Sequence, residues 1–239
     1  MLTQLIRGGY SGSEILFIII VSILALTISF AFHEFMHAAV ANWLGDHTAR
    51  DMGRVTLNPL AHIDPIGTAL ILFIGFGWGK PVPVNPNNLT RFKSTKAMNI
   101  MVSLAGVTGN FILALISDIL WTILNGTVNV ESNAVFYSIS ELLGFIYAYS
   151  LGLLAFNLLP IPPLDGFRVV DQLIPVRLKY KRGYSLLMAY GPRVLMGIIM
   201  LGSITGVFFL SQIINLIEWP FEFIIALLTT PLRLLFGGV

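Results

Sequence analysis

His33-Glu34-Phe35-Met36-His37 places two imidazoles one helical turn apart with a carboxylate beside the first. On a helix, residues i and i+4 share a face, so both imidazoles can reach one metal ion while Glu34 lies next to any water there. This is the H-E-x-x-H spacing of zinc hydrolases, in which the carboxylate serves as the base. Its surroundings are unusual. The five residues fall inside an apolar stretch from about Glu14 to Leu44, where ionisable side chains are costly and mark function.

A catalytic zinc site needs a third protein ligand and one open position. The chain has no cysteine, so thiolate ligands and disulfides are excluded and the third donor is a histidine or carboxylate. Asp165 stands in Asn157-Leu158-Leu159-Pro160-Ile161-Pro162-Pro163-Leu164-Asp165-Gly166, where prolines end an apolar run just before the carboxylate. His62 and Asp64 belong to the same side of the chain and compete with it. His47 follows a helix end and reads as structural. Asp118, a carboxylate inside a later apolar run, reads as reaching an interface, and Asn110 and Asn157 could bridge helices.

The elements that must position these groups are membrane helices. The chain is 56% hydrophobic and 11% charged, with a mean hydropathy of +0.82, whereas soluble domains carry about 25% charged residues. Its 239 residues read as one membrane-embedded domain, 1–239, all-α and polytopic, with four to five transmembrane helices. The first helix, Glu14 to Leu44, would be roughly 45 Å long, more than a bilayer core of about 30 Å needs. It reads as a retained span, not a cleaved signal. Further helices are expected at Ser94 to Leu124, opened by a Ser94 or Thr95 cap and stopped by Asn125-Gly126, at Ser140 to Leu159, and at Tyr184 to Leu210. Residues 212–236 form either a fifth, returning span or a helix lying in the interface.

Between the first two long helices, Ile66 to Phe76 is too short to cross as a helix and suits a re-entrant or strand-like segment. Phe73 to Val84, with Ile74, Gly75, Phe76 and Gly77, is the candidate edge for holding an extended substrate. The segments 45–66, 79–97 and 165–183 carry eleven of the fourteen Lys and Arg residues, and the loop 125–139 carries none. The positive-inside tendency makes that basic side cytoplasmic. The N-terminus is then outside, and the motif lies within about 10 Å of the cytoplasmic end of its helix. The net charge of +2 singles out no partner; none of nucleic acid is expected, and the oligomeric state is left open.

The pairing of HEFMH with NLLPIPPLDG resembles the site-2 protease family of intramembrane zinc metalloproteases, which cleave peptide bonds within transmembrane segments. The likeness runs from about Phe32 to Val170. It implies one Zn2+ per chain held by His33, His37 and Asp165, with Glu34 as the catalytic glutamate, Asn157 beside the site as an oxyanion donor, and a transmembrane protein in a lipid bilayer as substrate. Glu34 would take a proton from water and pass it to the leaving amine. Leu104 to Asn110 is similar to an A-G-P-x-x-N element, with Val107 in place of its proline, which makes Asn110 an auxiliary candidate beside His62. Arg54 to Thr68 with Gly77 to Pro86 looks like the compact bacterial and archaeal branch without an inserted PDZ domain. Two other classes fit less well. A metal or proton transporter would use the same His and Glu as translocation ligands, but no inverted repeat is visible. A noncatalytic adaptor would have no use for Glu34.

Overall fold

The computed structural model describes residues 9–64, 67, 79–205 and 209–236. Eight α-helices and no strand occur among them. They are α1 (Gly12–Trp43), α2 (Thr48–Asp51), α3 (Thr95–Thr127), α4 (Ala134–Asn157), α5 (Asp165–Leu173), α6 (Val176–Lys179), α7 (Arg182–Thr205) and α8 (Phe209–Leu235). Five of these, α1, α3, α4, α7 and α8, are long and apolar enough to cross a membrane. The protein is an integral membrane protein, helical in all the regular structure of its described residues. The expected re-entrant segment, with Ile74, Gly75, Phe76 and Gly77, lies outside the described residues.

Side-chain caps set the helix starts. Ser11 and Glu14 form a reciprocal capping box at α1: the Glu14 N–H donates to Ser11 Oγ at 3.3 Å and the Ser11 N–H donates to Glu14 Oε2 at 2.7 Å. Ser94 caps α3 by accepting from the Ala97 N–H, and Asn133 caps α4 by accepting from the Val135 N–H. After α1 the chain turns at Gly45, whose φ of 111° and close seat against Thr90 Oγ1, 2.6 Å from where a Cβ would stand, both require glycine. Asp46, fully buried in that turn, accepts from Thr48, Asn85 and Asn88 and so ties the end of α1 to the segment leading into α3.

α1, α3 and α4 pack against one another through small and polar residues, which let helices approach closely in lipid. Ser150 Oγ of α4 donates to Ser29 Oγ of α1 at 3.0 Å, and Asn110 Nδ2 of α3 donates to the Ser150 carbonyl at 3.3 Å. The outer face of α1 stays open, with Leu16, Ile20 and Leu24 exposed as a lipid-facing surface requires.

The structure departs from the sequence expectation in two places. α3 continues through Asn125-Gly126 to Thr127 and α4 begins at Ala134, so the connecting loop is shorter than 125–139. Asn125 sustains the helix, since its side-chain N–H groups bond the Trp121 carbonyl and Ser140 Oγ. Gly126 leaves room for Phe236, which packs where a Cβ would stand.

The second departure is the direction of α8. It runs alongside α3 and α4, with Glu218 beside Gly152, Ile225 against Ala114 and Leu151, and Arg233 paired to Asp118. It therefore travels from the basic end of the bundle to the far end, parallel to α3, and does not return. α7 meets the bundle at the basic end, where Gly191 touches Pro162 and Leu195 packs on Leu159 and Leu164 together with Leu210 of α8.

Candidate metal centre

α1 delivers His33 and His37 on one face, and α5 delivers Asp165 as its first residue. Asp165 enters there because the chain leaves α4 through Leu158 to Leu164 and doubles back. Gly166 packs onto the Leu158 carbonyl with no room for a side chain. The three donor atoms form a triangle. His33 Nε2 and His37 Nε2 are 3.0 Å apart, and Asp165 Oδ2 lies 3.2 Å from the first and 3.0 Å from the second. All three residues are buried, none more than 5% exposed.

This donor set fits zinc. Ligands about 2.0–2.1 Å from a tetrahedral zinc stand roughly 3.3 Å from each other, close to the edges of the triangle. The protonation pattern agrees. His37 Nδ1 lies 2.7 Å from the Val102 carbonyl, which can only accept, so the ring carries its proton there and presents a bare lone pair at Nε2. The Asp165 carboxylate turns Oδ2 toward both imidazole Nε2 atoms as the third donor. Its second oxygen faces Arg168 Nη1 at 3.5 Å. Two imidazole nitrogens and a carboxylate oxygen, converged in a buried site, are what a divalent cation takes.

α3 supplies the wall. A Cβ on Gly106 would come within 2.6 Å of His33 Nε2 and closer still to His37 Nε2. Glu34, 8% exposed, accepts from the Val82 N–H at 2.8 Å through Oε2. The acid partner of the motif is thus held by the backbone of the segment that follows residue 79.

The other sequence candidates lie apart from this triangle. His62 is 1% exposed and donates through Nε2 to the Thr56 carbonyl, while its own carbonyl accepts from the Lys80 N–H. It braces a loop. Asp64 accepts from the Gly67 N–H, and His47 bonds Asn42. Asn110 is fully buried as a bridge from α3 to α4, and Asn157 turns its amide to the Leu153 carbonyl of its own helix. Asp118 pairs with Arg233 at 2.9 Å, at the other end of the bundle. Sequence reasoning missed the contributions of Val102, Val82 and Gly106, which are made by backbone or by the absence of a side chain. It also missed Arg168, whose signal was its place one turn after Asp165.

Comparison with known proteins gives the chain a family. The model of peptidase family M50 matches residues 121–199. "Putative zinc metalloprotease YwhC" of Bacillus subtilis is 41% identical over 160 residues, which is 66% of this chain and 71% of that protein. "Putative zinc metalloprotease Rip2" of Mycolicibacterium smegmatis is 36% identical over 146 residues, 60% of this chain and 53% of Rip2. The Rip2 of Mycobacterium tuberculosis is 33% identical over 147 residues. The chain spans about half the length of the Rip2 proteins it matches. No solved structure matches. On a buried His-His-Asp triangle within a membrane helix bundle and this likeness to YwhC, the chain belongs to peptidase family M50 and is a zinc metalloprotease.

Proposed function

We propose that this protein hydrolyses peptide bonds within or beside transmembrane segments of other membrane proteins, with Glu34 as general base and general acid. The observation that supports this reading most is the place of the triangle. His33, His37 and Asp165 are buried among helices that are themselves apolar enough to lie in a bilayer.

His33, His37 and Asp165 would hold the zinc ion, which when bound supplies a Lewis acid for the scissile carbonyl and makes water acidic enough to attack at neutral pH. Glu34, adjacent to His33 on α1, accepts the proton of the attacking water and delivers it to the departing amine. Asn157 is proposed as an additional donor to the oxyanion, through the amide hydrogen not given to Leu153. The bundle excludes bulk water, so the charges of Glu34 and Asp165 act in a medium of low dielectric.

A helical substrate hides its carbonyls in hydrogen bonds and must unwind before attack. We assign its docking to an added-strand pairing with the segment 73–84, Ile74, Gly75, Phe76 and Gly77 included. The active site then faces the cytosol, on the basic side of the membrane. A transporter reading is less economical, because a permeation path needs ligands at more than one depth, whereas the described residues hold one His/carboxylate group of this kind.

The test is cleavage of a transmembrane peptide by detergent-purified protein. Glu34→Gln should keep zinc and lose cleavage by about a hundredfold or more, and chelation should abolish wild-type cleavage reversibly. Full activity in Glu34→Gln would refute the assignment of the base.

A further inference from the structure

We propose that Arg54 positions the Glu34 carboxylate through the single peptide unit between Pro81 and Val82. The inference rests on Glu34 being the base of the reaction.

Arg54 is 6% exposed and makes no ion pair among the described residues. The two Nη atoms of its guanidinium donate to backbone carbonyls. Nη1 donates to Ala61, and Nη2 donates to Lys80 and, at 3.1 Å, to Pro81. The Pro81 carbonyl belongs to the same amide as the Val82 N–H, which donates to Glu34 Oε2 at 2.8 Å. One peptide thus carries a cation on its oxygen and an anion on its hydrogen. Both polarise the amide in the same sense, so each hydrogen bond strengthens the other.

The flanking sequence makes this peptide the one that can serve. Pro81 and Pro83 have no N–H, so Val82 holds the sole backbone donor from 81 to 83, and their rings fix φ on either side of it. Upstream, the Lys80 N–H donates to the His62 carbonyl at 2.8 Å. Gly79 packs against Phe30 of α1, with His62 O 2.8 Å from where its Cβ would be. The segment is therefore seated on α1 next to the motif, and Arg54 clamps its far face. Lysine could not do the same in this geometry, since its ammonium donates from one point whereas the rigid guanidinium fork donates from two separate nitrogens. With Oε2 engaged, the Glu34 side chain is held in one rotamer and its other oxygen is left for the proton in transit. Arg54 is a positioning residue; it touches no reacting atom.

Carbonyl-13C proline and 15N valine labelling narrows the spectrum to three amides, those of the Pro-Val bonds 81–82, 83–84 and 175–176. In zinc-loaded, detergent-solubilised full chain, Glu34→Gln and Arg54→Gln should each move the 81–82 amide proton upfield and leave the 175–176 signal in place. Arg54→Gln should also lower kcat about tenfold to a hundredfold at unchanged KM and zinc content, and Arg54→Lys, which keeps the charge without the fork, should recover part of the loss. An 81–82 signal that ignores Glu34→Gln would overturn the inference, while the loss of cleavage in that variant would leave the base assignment standing. Loss of zinc in Arg54→Gln, or a raised KM at wild-type kcat, would also overturn it by making Arg54 a brace of the metal centre or of the substrate edge.

Discussion

Three donor atoms within 3.2 Å of one another, two of them imidazole nitrogens, are held against their own repulsion by the walls around them. Gly106 is the tightest of those walls, so we expect Gly106→Ala to displace His33 and His37 and weaken zinc retention about tenfold or more, as measured by metal analysis after dialysis. Gly144→Ala on α4, where nothing stands within 4 Å of the added methyl, is the control and should keep full zinc. His33→Ala, His37→Ala and Asp165→Ala should each lose the metal, whereas His62→Ala should keep it, because His62 bonds a backbone carbonyl and lies outside the triangle. Zinc retained in Asp165→Ala and lost in His62→Ala would reverse the proposed ligand set. The histidine pair was legible in the sequence because a helix fixes the i, i+4 geometry without help from tertiary structure. From spacing alone Asp165 was one of three groups on the same side, and it was the resemblance of its NLLPIPPLDG stretch that singled it out. What separates it from His62 is the turn at Gly166, a packing event between residues close in the chain. Val82 and Gly106 lay in stretches the sequence singled out, but what they do at the site, like the part of Val102, was not legible, since a peptide N–H, a carbonyl and a missing Cβ look alike everywhere in a sequence.

At the scale of elements, helix positions were readable from apolar length and caps, while the ends and directions depended on partners distant in sequence. The far end of α3 persists past Asn125 because Ser140 and Phe236 meet it there. The direction of α8 is set by an ion pair invisible in the local pattern of either helix. Arg233 donates to both oxygens of Asp118, whose side chain is 8% exposed. Removing one partner strands a charge, so Arg233→Met should cost about 2–4 kcal/mol, read as a lowered thermal midpoint. The double variant Asp118→Leu with Arg233→Leu should recover most of it. An Arg233→Met midpoint equal to wild type would mean the pair carries no stability. Outside the bundle, Asp46 staples α1 to the Asn85 to Asn88 turn. Burial pushes its carboxyl up, but the hydrogen bonds from Thr48, Asn85 and Asn88 prevail and hold it below its ordinary value of 3.8. A depressed carboxylate contributes stability above its unfolded pKa and loses it as pH falls through the folded one. Wild type should therefore lose stability as the pH drops below about 4 more steeply than Asp46→Asn. Parallel pH profiles of the two midpoints would count against this staple.

For the whole molecule, the direction of α8 changes the membrane topology expected from strict alternation of five spans. α1 runs toward the basic end, α3 away from it, α4 toward it, and α8 away again, since Phe236 meets Gly126 near the end of α3. Phe17, near the start of α1, stacks on Tyr137 near the start of α4, so both of those starts also lie at the far end. The four helices alongside one another thus bring residues 12, 127, 134 and 235 to one side. Meanwhile α7 sets Gly191 and Leu195 against the loop before Asp165, at the basic end. The absence of cysteine lets single labels test this directly. Cysteines introduced at 130 and 234 should react with a membrane-impermeant reagent from one side of sealed vesicles, and those at 50, 93 and 180 from the other. The positive-inside tendency predicts that the second group reacts from the cytosolic side, since the segments holding 50, 93 and 180 carry eleven of the fourteen Lys and Arg residues. Position 234 labelling together with 93 and 180 would mean that α7 crosses and α8 returns, which would separate Arg233 from Asp118 by the thickness of the bilayer. Position 130 labelling from the cytosol would invert the molecule and place the triangle nearer the outer face.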